Sequence, residues 1–445
     1  MRDFLILGVL LSVLPFALRY TWVGVLLWNW ISLMNPHKLA YGFAFNAPFA
    51  AIAGGAALVS LFTGKDKLRM PSDPPVIVLG VFVLWMCITT LLAIDVAGSV
   101  DQLNKVLKIQ LMVFVAFAAI QSRKHIELFI WVSVLSLGFY GVKGGVFTVL
   151  TGGGERVWGP PGGFIEDNNN LAVALIMTIP FVNYLRTVAT RMWIRYALLA
   201  LMLLCAVSVL GSQSRGALLA ISAMAAVLWA RSRKKAVGAV TLVVVAMGLL
   251  AFMPASWEQR MNTIQTYETD GSAMSRLGSW TMCFNLANDR PIGGGFGVYT
   301  PQNYAKYNPD SLVTASHGST VAHSIYFSVL GEHGWIGLFI YLVLGILTYR
   351  LASRIRRDTQ RVPQAAWAYN LAGMCQVSLV GFAVGGAFLS LAYFDFTYNI
   401  IVVLVATRRW VNERGWEKES QGPFGSGNPL GDKALAAARQ RPVTA

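Results

Sequence analysis

Long apolar runs separated by short polar and basic segments make up most of this chain. Runs such as residues 75–93 and 236–253 contain no charged side chain and approach the ~20 residues that an α-helix needs to cross ~30 Å of hydrocarbon. The strict polar and apolar alternation of a membrane β-barrel is missing from the sequence. The pattern therefore predicts an all-α protein that crosses a membrane many times.

Composition agrees with the hydrophobic pattern. Of 445 residues, 55% are hydrophobic and 13% are charged, with a mean hydropathy of +0.55, which excludes an ordinary soluble domain. The first apolar run leads through Arg19 into a second run without a clear cleavage site, so we expect the N-terminal segment to be retained. The four cysteines are scattered and predict no disulfide framework.

The net charge of +15 lies mainly in short connections between apolar runs. By the positive-inside rule these connections are cytoplasmic, so the charge indicates membrane orientation and not a nucleic-acid partner. The clusters are Lys65 to Arg69, Arg123/Lys124, Arg186 to Arg195, Arg231 to Lys235, Arg350 to Arg361 and Arg408 to Arg414. Two apolar runs fit between successive clusters, so each pair is predicted to be an out-and-back hairpin.

Counting these hairpins predicts about 12 transmembrane helices and four regions. Residues 1–253 are expected to supply about nine crossings, 254–321 a large outward loop, 322–410 about three crossings, and 411–445 a disordered cytoplasmic tail. The count assumes that residues 1–41 cross once as two short pieces. If both pieces cross, there are thirteen crossings and Met1 lies outside. Within the outward loop, stretches 257–267 and 275–287 are predicted to be helical parts of a folded cap.

Two outward segments carry arginines suited to phosphate. Arg215 lies in the turn Gly211-Ser-Gln-Ser-Arg-Gly216, where the start of the next helix presents free N–H groups and a positive dipole end. Arg276 and Trp280 are one helical turn apart and share a face ahead of a Gly-rich turn. We expect both arginines to bind a diphosphate; an arginine reaching towards lipid headgroups is the alternative for Arg215.

Two further cations are weaker candidates for the same anion. Arg156 lies in a Gly/Pro-rich stretch that begins at Thr151, and Lys143 lies near the outer end of an apolar helix. Lys143 either meets an anion or extends its ammonium group to the interface. In the same stretch, Asp167 or Asn168 is expected to cap the following helix.

His323 stands where the chain re-enters the membrane, and histidine is the side chain best matched to proton transfer near neutral pH. We predict a catalytic role for it, against a structural histidine. His317 is a weaker candidate, and His333 is expected to pack near Gly334 and Gly337. The outward residues have neither zinc-protease spacing nor a clear acidic metal motif, so no metal or other cofactor is expected.

These motifs together resemble the bacterial O-antigen ligase and O-antigen polymerase superfamily of membrane glycosyltransferases. The resemblance rests on the S-x-S-R-G turn at 212–216, the Arg276/Trp280 pair, and His323-Ser324 followed by nine residues and Gly334-x-x-Gly337. It extends over roughly residues 1–410. It implies a GT-C-like helical fold and supporting roles for Ser212, Ser214, Trp280, Ser324, Gly334 and Gly337.

The resemblance implies a metal-independent, inverting transfer at the periplasmic face of the bacterial inner membrane. The donor would be a glycan on undecaprenyl diphosphate, and the acceptor a sugar hydroxyl of lipid A-core. His323 would act as general base, while Arg215 and Arg276 would hold the departing diphosphate.

Three alternatives remain from the sequence. Segments GFYGVKGGVFT and GPPGGF are similar to an exosortase-associated O-glycosylation ligase branch, whose acceptor is not necessarily lipopolysaccharide. A polymerase would extend a second lipid-linked repeat. A lipid-linked glycan flippase would use the arginines only for binding, although the unusual polar residues gather on one side.

Overall fold

The computed structural model describes residues 1–231, 235–255, 257, 261, 271–311, 313 and 320–420. These residues form α-helices, three short 3₁₀ turns and connecting loops, and no strand occurs among them. The all-α prediction is therefore confirmed for this part of the chain. The predicted helix 257–267 and His317 lie largely or wholly outside the described residues, as does the tail from residue 421 onwards.

Sixteen helices are described. In chain order they are α1 Arg2–Arg19, α2 Thr21–Met34, α3 Phe49–Thr63, α4 Pro74–Leu91, α5 Val96–Ala119, α6 Arg123–Leu150, α7 Asn168–Val188, α8 Met192–Gly211, α9 Arg215–Arg231, α10 Lys235–Phe252, α11 Gly271–Asp289, α12 Pro301–Tyr307, α13 Ile325–Thr359, α14 Ala366–Gly386, α15 Asp395–Asn412 and α16 Gly415–Ser420. Helix α11 covers the predicted helix 275–287.

The described helices include seven that are long and apolar enough to span a bilayer. They are α4, α5, α6, α7, α8, α13 and the segment Pro363–Gly386 that contains α14. The protein is therefore a multi-pass membrane protein, as predicted. The predicted count of twelve crossings is not confirmed.

Basic connections converge at one end of the helix bundle, which we call the basic end. Arg69 pairs with Glu413 at 3.3 Å, and the Arg409 guanidinium donates to the Arg69 carbonyl. Arg123 lies 5.1 Å from the centre of the Trp367 ring. Segments far apart in sequence thus share one end, as the alternating out-and-back pattern requires.

The N-terminal segment folds differently from the preferred prediction. Helices α1 and α2 are antiparallel, because the Arg2 side chain donates to the Leu39 carbonyl at 3.1 Å while Asp66, near the basic end, accepts from the Thr21 N–H at 2.6 Å. Asp3 also accepts from the Ala44 N–H. The two pieces do not continue one another through a single crossing. This places residue 1 at the end opposite the basic end, as the thirteen-crossing alternative assumes, and the number of crossings stays a prediction.

Helices α7 and α15 lie at the centre of the bundle. Helix α7 is the most buried of the seven candidate spans and contacts α6, α8, α9 and α14. Every residue of α15 from 395 to 407 is buried. A polar chain crosses this interior: Asn399 donates to Asn29 at 2.8 Å, and Asn29 donates to Ser133 at 2.8 Å. These bonds join α15, α2 and α6 where an unsatisfied amide would be costly.

The opposite end, which we call the loop end, contains the connections around residues 94, 151–167, 211–215, 290–311, 320–324 and 387–394. Helices α11 and α12 pack there around a small apolar cluster that includes Met282, Leu286 and Tyr304. Tyr304 donates its hydroxyl to the Thr320 carbonyl at 2.5 Å. This packing fixes the part of the loop region that leads into α13.

Candidate active site

The Ser212–Arg215 turn is a tightly bonded corner between α8 and α9. The Ser212 hydroxyl donates to the Val209 carbonyl at 2.6 Å, and the Ser214 hydroxyl accepts from the Ala217 N–H at 3.2 Å. Ser214 therefore caps α9, and Arg215 becomes its first residue. The two serines of the motif build the turn that presents the arginine.

Gly216 allows this corner to approach the α14–α15 connection. A Cβ atom at Gly216 would lie 3.0 Å from the Phe388 Cβ. That distance is tighter than ordinary van der Waals contact, so a larger residue would push α9 away. The glycine of the S-x-S-R-G motif is thus explained by close packing next to Arg215.

The Gly/Pro-rich stretch covers the same corner. The Val157 N–H donates to the Gly211 carbonyl at 3.1 Å, and the Asn168 amide donates to the Ser212 carbonyl at 2.7 Å. The Asp167 carboxylate accepts from the Asn169 and Asn170 N–H groups at 2.9 and 3.3 Å. Helix α7 is therefore capped by Asp167, one of the two expected residues.

Trp280 connects α11 to the start of α13. Its indole N–H donates to the Ala322 carbonyl at 2.7 Å, and its ring stacks on Phe327 with centroids 4.9 Å apart and planes 6° apart. The Phe388 ring lies 6.4 Å away on a tilted plane. Because Arg276 is one turn earlier on α11, Trp280 fixes that helix face beside residues 322 and 323.

His323 occupies a constrained turn immediately before α13. Its φ of 47° is in the left-handed region, which is uncommon for a residue with a Cβ. The His323 N–H donates to the Ser390 hydroxyl at 3.1 Å, and Ser324 then caps α13 through the Phe327 N–H. Bonds on both sides of His323 hold this backbone geometry.

The surroundings of His323 favour its neutral form. Burial lowers the pKa of the imidazole, the nearby Arg276 charge lowers it further, and the Asp167 carboxylate opposes this by raising it. An imidazole whose pKa lies below its usual value is neutral at pH 7, so it can accept a proton. These influences also place Arg276 and Asp167 within electrostatic range of His323.

The structure thus brings three of the predicted site residues, Arg276, Trp280 and His323, to one place. The Arg215 turn lies next to this group of residues, because Phe388 contacts both Gly216 at the start of α9 and Trp280. Sequence reasoning missed Phe388 and Ser390. They lie in the α14–α15 connection, where no motif or charge marks them, and only the packing of that connection brings them to the site.

The glycines after His323 permit a break in α13. Gly334 has φ of 68°, and a Cβ there would lie 1.9 Å from the Pro291 carbonyl oxygen. The break frees carbonyls of Gly331 and Glu332, which accept from Gly294 and Gly295 N–H groups at 2.8 and 2.9 Å. The Gly-rich run therefore docks on the broken helix, which explains both glycine patterns structurally.

His333 packs beside this break, as expected. It is fully buried, its Nδ1 lies 2.7 Å from the Thr89 hydroxyl, and its ring meets Phe296 edge-on at 4.7 Å. The neighbouring Glu332 was given no role by the sequence analysis. Its buried carboxylate accepts from the Tyr393 hydroxyl at 2.5 Å and so ties α13 to the segment before α15.

Lys143 and Arg156 lie together but apart from the other cations. They line one cavity of about 440 Å³, together with Trp158 and apolar residues of α6. Neither Arg215 nor Arg276 nor His323 lines it. Gln213 links Arg156 to the turn that contains Arg215, since its side-chain oxygen accepts from Arg156 Nε at 3.3 Å.

Metal ligation was not expected from the sequence. Among the residues that the structure describes, His, Cys, Asp and Glu side chains form no group of three able to hold an ion. The polar groups that act on His323 in the structure include the Arg276 guanidinium, the Asp167 carboxylate and the Ser390 hydroxyl.

Comparison with protein families adds the decisive observation. Residues 199–342 match the family described as O-antigen ligase (Wzy_C). This match supports membership of the O-antigen ligase superfamily. That match contains Arg215, Arg276, Trp280, His323, Gly334 and Gly337, the residues on which the sequence resemblance rests.

The N-terminal part of the chain is less informative. Residues 1–190 match a family of unknown function (DUF5935), and this region contains Lys143 and Arg156. No match is found among curated proteins. The family therefore supports a glycosyltransferase-like function of the ligase or polymerase type in a multi-pass membrane protein.

Proposed function

We propose that the protein is an O-antigen ligase that moves a glycan from undecaprenyl diphosphate to a sugar hydroxyl of lipid A-core. The observation that carries the proposal is the meeting of Arg276, Trp280 and His323 beside the Arg215 corner. A proton acceptor and anion-binding groups then lie together within a domain matched to O-antigen ligases. Glycosyl transfer from a diphosphate carrier needs both kinds of group.

His323 acts as the general base in this proposal. Its imidazole accepts the proton of the acceptor hydroxyl while that oxygen attacks the anomeric carbon of the donor glycan. The bond between this carbon and the diphosphate oxygen breaks, and its electron pair leaves with the diphosphate. Attack opposite to the leaving group inverts the anomeric centre. The imidazolium subsequently releases its proton to water.

Arg215 and Arg276 stabilise the departing diphosphate. Guanidinium groups bind phosphate oxygens in a fork geometry and remain charged, so they oppose the build-up of negative charge without a metal ion. Arg215 also begins α9, where the helix dipole and backbone N–H groups favour an anion. The positive charge of Arg276 serves a second purpose, because it adds to the effect of burial, which lowers the pKa of His323 and favours the neutral imidazole before the reaction.

The two ends of the bundle support a periplasmic site. Basic clusters gather at the end that contains Arg69, Arg123 and Arg409, while His323 lies at the loop end. By the positive-inside rule the basic end faces the cytoplasm. The reaction would then occur at the periplasmic face of the inner membrane, where the donor enters from the bilayer.

A reconstituted transfer assay tests the proposal. Purified full chain is mixed with undecaprenyl-diphosphate-linked glycan and lipid A-core, with and without EDTA, and compared with His323→Ala and with Lys306→Ala. Lys306 is an exposed cation that pairs with Asp289 at 3.0 Å, and it serves as the control. We expect product from the native chain and the control, insensitive to EDTA, and a loss of at least a hundredfold in His323→Ala.

Other products would redirect the assignment. Lengthened glycans that remain on the lipid carrier would identify a polymerase, and transfer to a protein would identify an O-glycosylation ligase. Full transfer by His323→Ala would refute the general-base role. Movement of the donor across a vesicle membrane without transfer of its glycan would indicate a flippase.

A further inference from the structure

The cavity that Lys143 and Arg156 line has two cationic residues among mostly apolar ones. It is bounded by Phe147 and Leu150 of α6, which are 41% and 81% exposed, and by Trp158, which is 56% exposed. These side chains lie on the outside of the bundle, where a candidate spanning helix meets lipid. The cavity therefore opens towards the bilayer, and its occupant must have an apolar part.

Lys143 lies inside a membrane-spanning helix. Helix α6 continues for seven residues beyond Lys143 to Leu150, a rise of about 10 Å. Ionisable side chains at such positions are costly to keep in hydrocarbon and usually serve a bound partner. Lys143 and Arg156 both line this one space. Two cationic residues that line one open cavity match a phosphate group.

Arg156 is held in position by the candidate active site. Its Nε donates to the Gln213 side-chain oxygen at 3.3 Å, and the Gln213 amide donates to the Gly153 and Gly154 carbonyls at 3.3 and 3.2 Å. Gln213 is two residues before Arg215 in the same turn. A group bound in the cavity would therefore lie directly beside the proposed diphosphate site without sharing its arginines.

We infer that the Lys143–Arg156 cavity binds a phosphate group of the lipid-borne acceptor. The inference rests on the proposed function, in which Arg215 and Arg276 hold the donor diphosphate and a second lipid must lie beside it. Lipid A, the membrane anchor of the proposed acceptor, carries phosphates on an apolar body. A protein acceptor would not place its anionic groups at a site that opens towards hydrocarbon.

A binding experiment tests this site without requiring catalysis. Full-length protein in detergent is titrated with lipid A or with dephosphorylated lipid A, and bound lipid is counted by native mass spectrometry. We expect the native chain to prefer lipid A about tenfold and the Lys143→Ala/Arg156→Ala double variant to lose that preference. Lys105→Ala, an exposed lysine on α5 outside the cavity, should retain the preference.

One further variant and one competing lipid identify the molecule that binds in the cavity. Lys143→Arg keeps the charge and should retain the preference, which shows that a loss in the alanine variant is not misfolding. Phosphatidylglycerol is then added as a competitor. If it displaces lipid A at equal concentration, the cavity is a general anionic-lipid site and the acceptor assignment is overturned. An unchanged preference in the double alanine variant overturns the site itself.

Kinetics separates acceptor from donor. In the double alanine variant we expect KM for the acceptor to rise about tenfold, with kcat and KM for the donor unchanged, and no effect with a dephosphorylated acceptor. A rise in KM for the donor would instead assign the cavity to the donor and overturn the inference. If the native chain transfers no glycan at all, the proposed function fails, and the binding experiment still decides whether the cavity holds phosphate.

Discussion

The indole N–H of Trp280 donates a hydrogen bond of 2.7 Å to the carbonyl oxygen of Ala322, the residue before His323. Helix α11 carries Arg276 on the same face, so this bond couples the position of an arginine to that of the histidine. The two groups come from segments more than 40 residues apart, and the apolar stack of Trp280 on Phe327 reinforces the contact. Trp280 therefore acts as a positioning residue.

Trp280→Phe should lower transfer by removing this bond while keeping an aromatic ring on Phe327. Loss of one partly buried hydrogen bond is worth about 1 kcal/mol, so we expect kcat to fall about fivefold to tenfold with little change in KM for the donor. Trp335→Phe is the matched control. The Trp335 indole donates to the Asn288 side-chain oxygen at 3.1 Å, and this bond does not involve the turn that contains His323. Equal losses in both variants would contradict a positioning role.

The pH dependence should follow the charges around His323. Transfer requires the neutral imidazole, so kcat/KM should rise with pH through the His323 pKa and level off near neutrality. The Asp167 carboxylate raises that pKa, so Asp167→Asn should lower it and move the acidic limb to lower pH. Asparagine still caps a helix well, which limits damage to α7.

Arg276→Gln should produce the opposite shift in the pH profile. The Arg276 charge disfavours the imidazolium, so its removal should raise the pKa of His323 and move the acidic limb to higher pH. The profile is measured on residual activity in single-turnover assays. Shifts in the same direction for Arg276→Gln and Asp167→Asn would show that the profile does not report His323.

Arg215→Lys and Arg276→Lys should each reduce transfer although they keep the charge. A fork of two parallel donors becomes a single ammonium group, and loss of a bidentate phosphate contact in the transition state should lower kcat at least tenfold. Lys306→Arg, at an exposed ion pair, provides a conservative control. Near-native rates for both arginine variants would exclude the proposed diphosphate contacts.

Gly334→Ala should destabilise the protein, whereas Gly345→Ala should not. Residue 334 has a positive φ, and an added Cβ would meet the Pro291 carbonyl, while the space around Gly345 on the same helix is open. The left-handed backbone alone costs an L-residue about 1–2 kcal/mol, before the clash is counted. Thermal unfolding of both variants in one detergent measures the difference. A matching Tm for the two variants would argue against the break in α13.

Topology predicts the side of the N-terminus. The Arg2–Leu39 hydrogen bond lies at the loop end and the Thr21–Asp66 hydrogen bond lies near the basic end. A cysteine inserted after Met1 should therefore lie on the same side of the membrane as the cysteine of Trp158→Cys. Both should react with a membrane-impermeant maleimide in intact cells when the four native cysteines are replaced. Arg357→Cys, near the basic end, should react only after permeabilisation. Labelling of the N-terminal cysteine only after permeabilisation would instead support a single crossing by residues 1–41.

Patterns within the chain were enough to predict the class of the protein and most of the candidate residues. Apolar run length predicts spanning helices because the bilayer sets their minimum length, and charge in short connections predicts orientation. Local spacing also predicted that Asp167 or Asn168 caps α7 and that Arg276 and Trp280 share a face. Each of these inferences depends on residues that are close in the chain.

Tertiary structure decided which of these residues meet. Phe388 and Ser390 reach the site only because the α14–α15 connection packs against α9 and the turn at His323, and no local pattern encodes that contact. The same holds for Lys143 and Arg156, which were weaker candidates for the diphosphate from the sequence and which the fold places in a separate cavity. The antiparallel α1–α2 pair is also a tertiary result, since a short apolar run fits either a single or a double crossing until its packing partners are known.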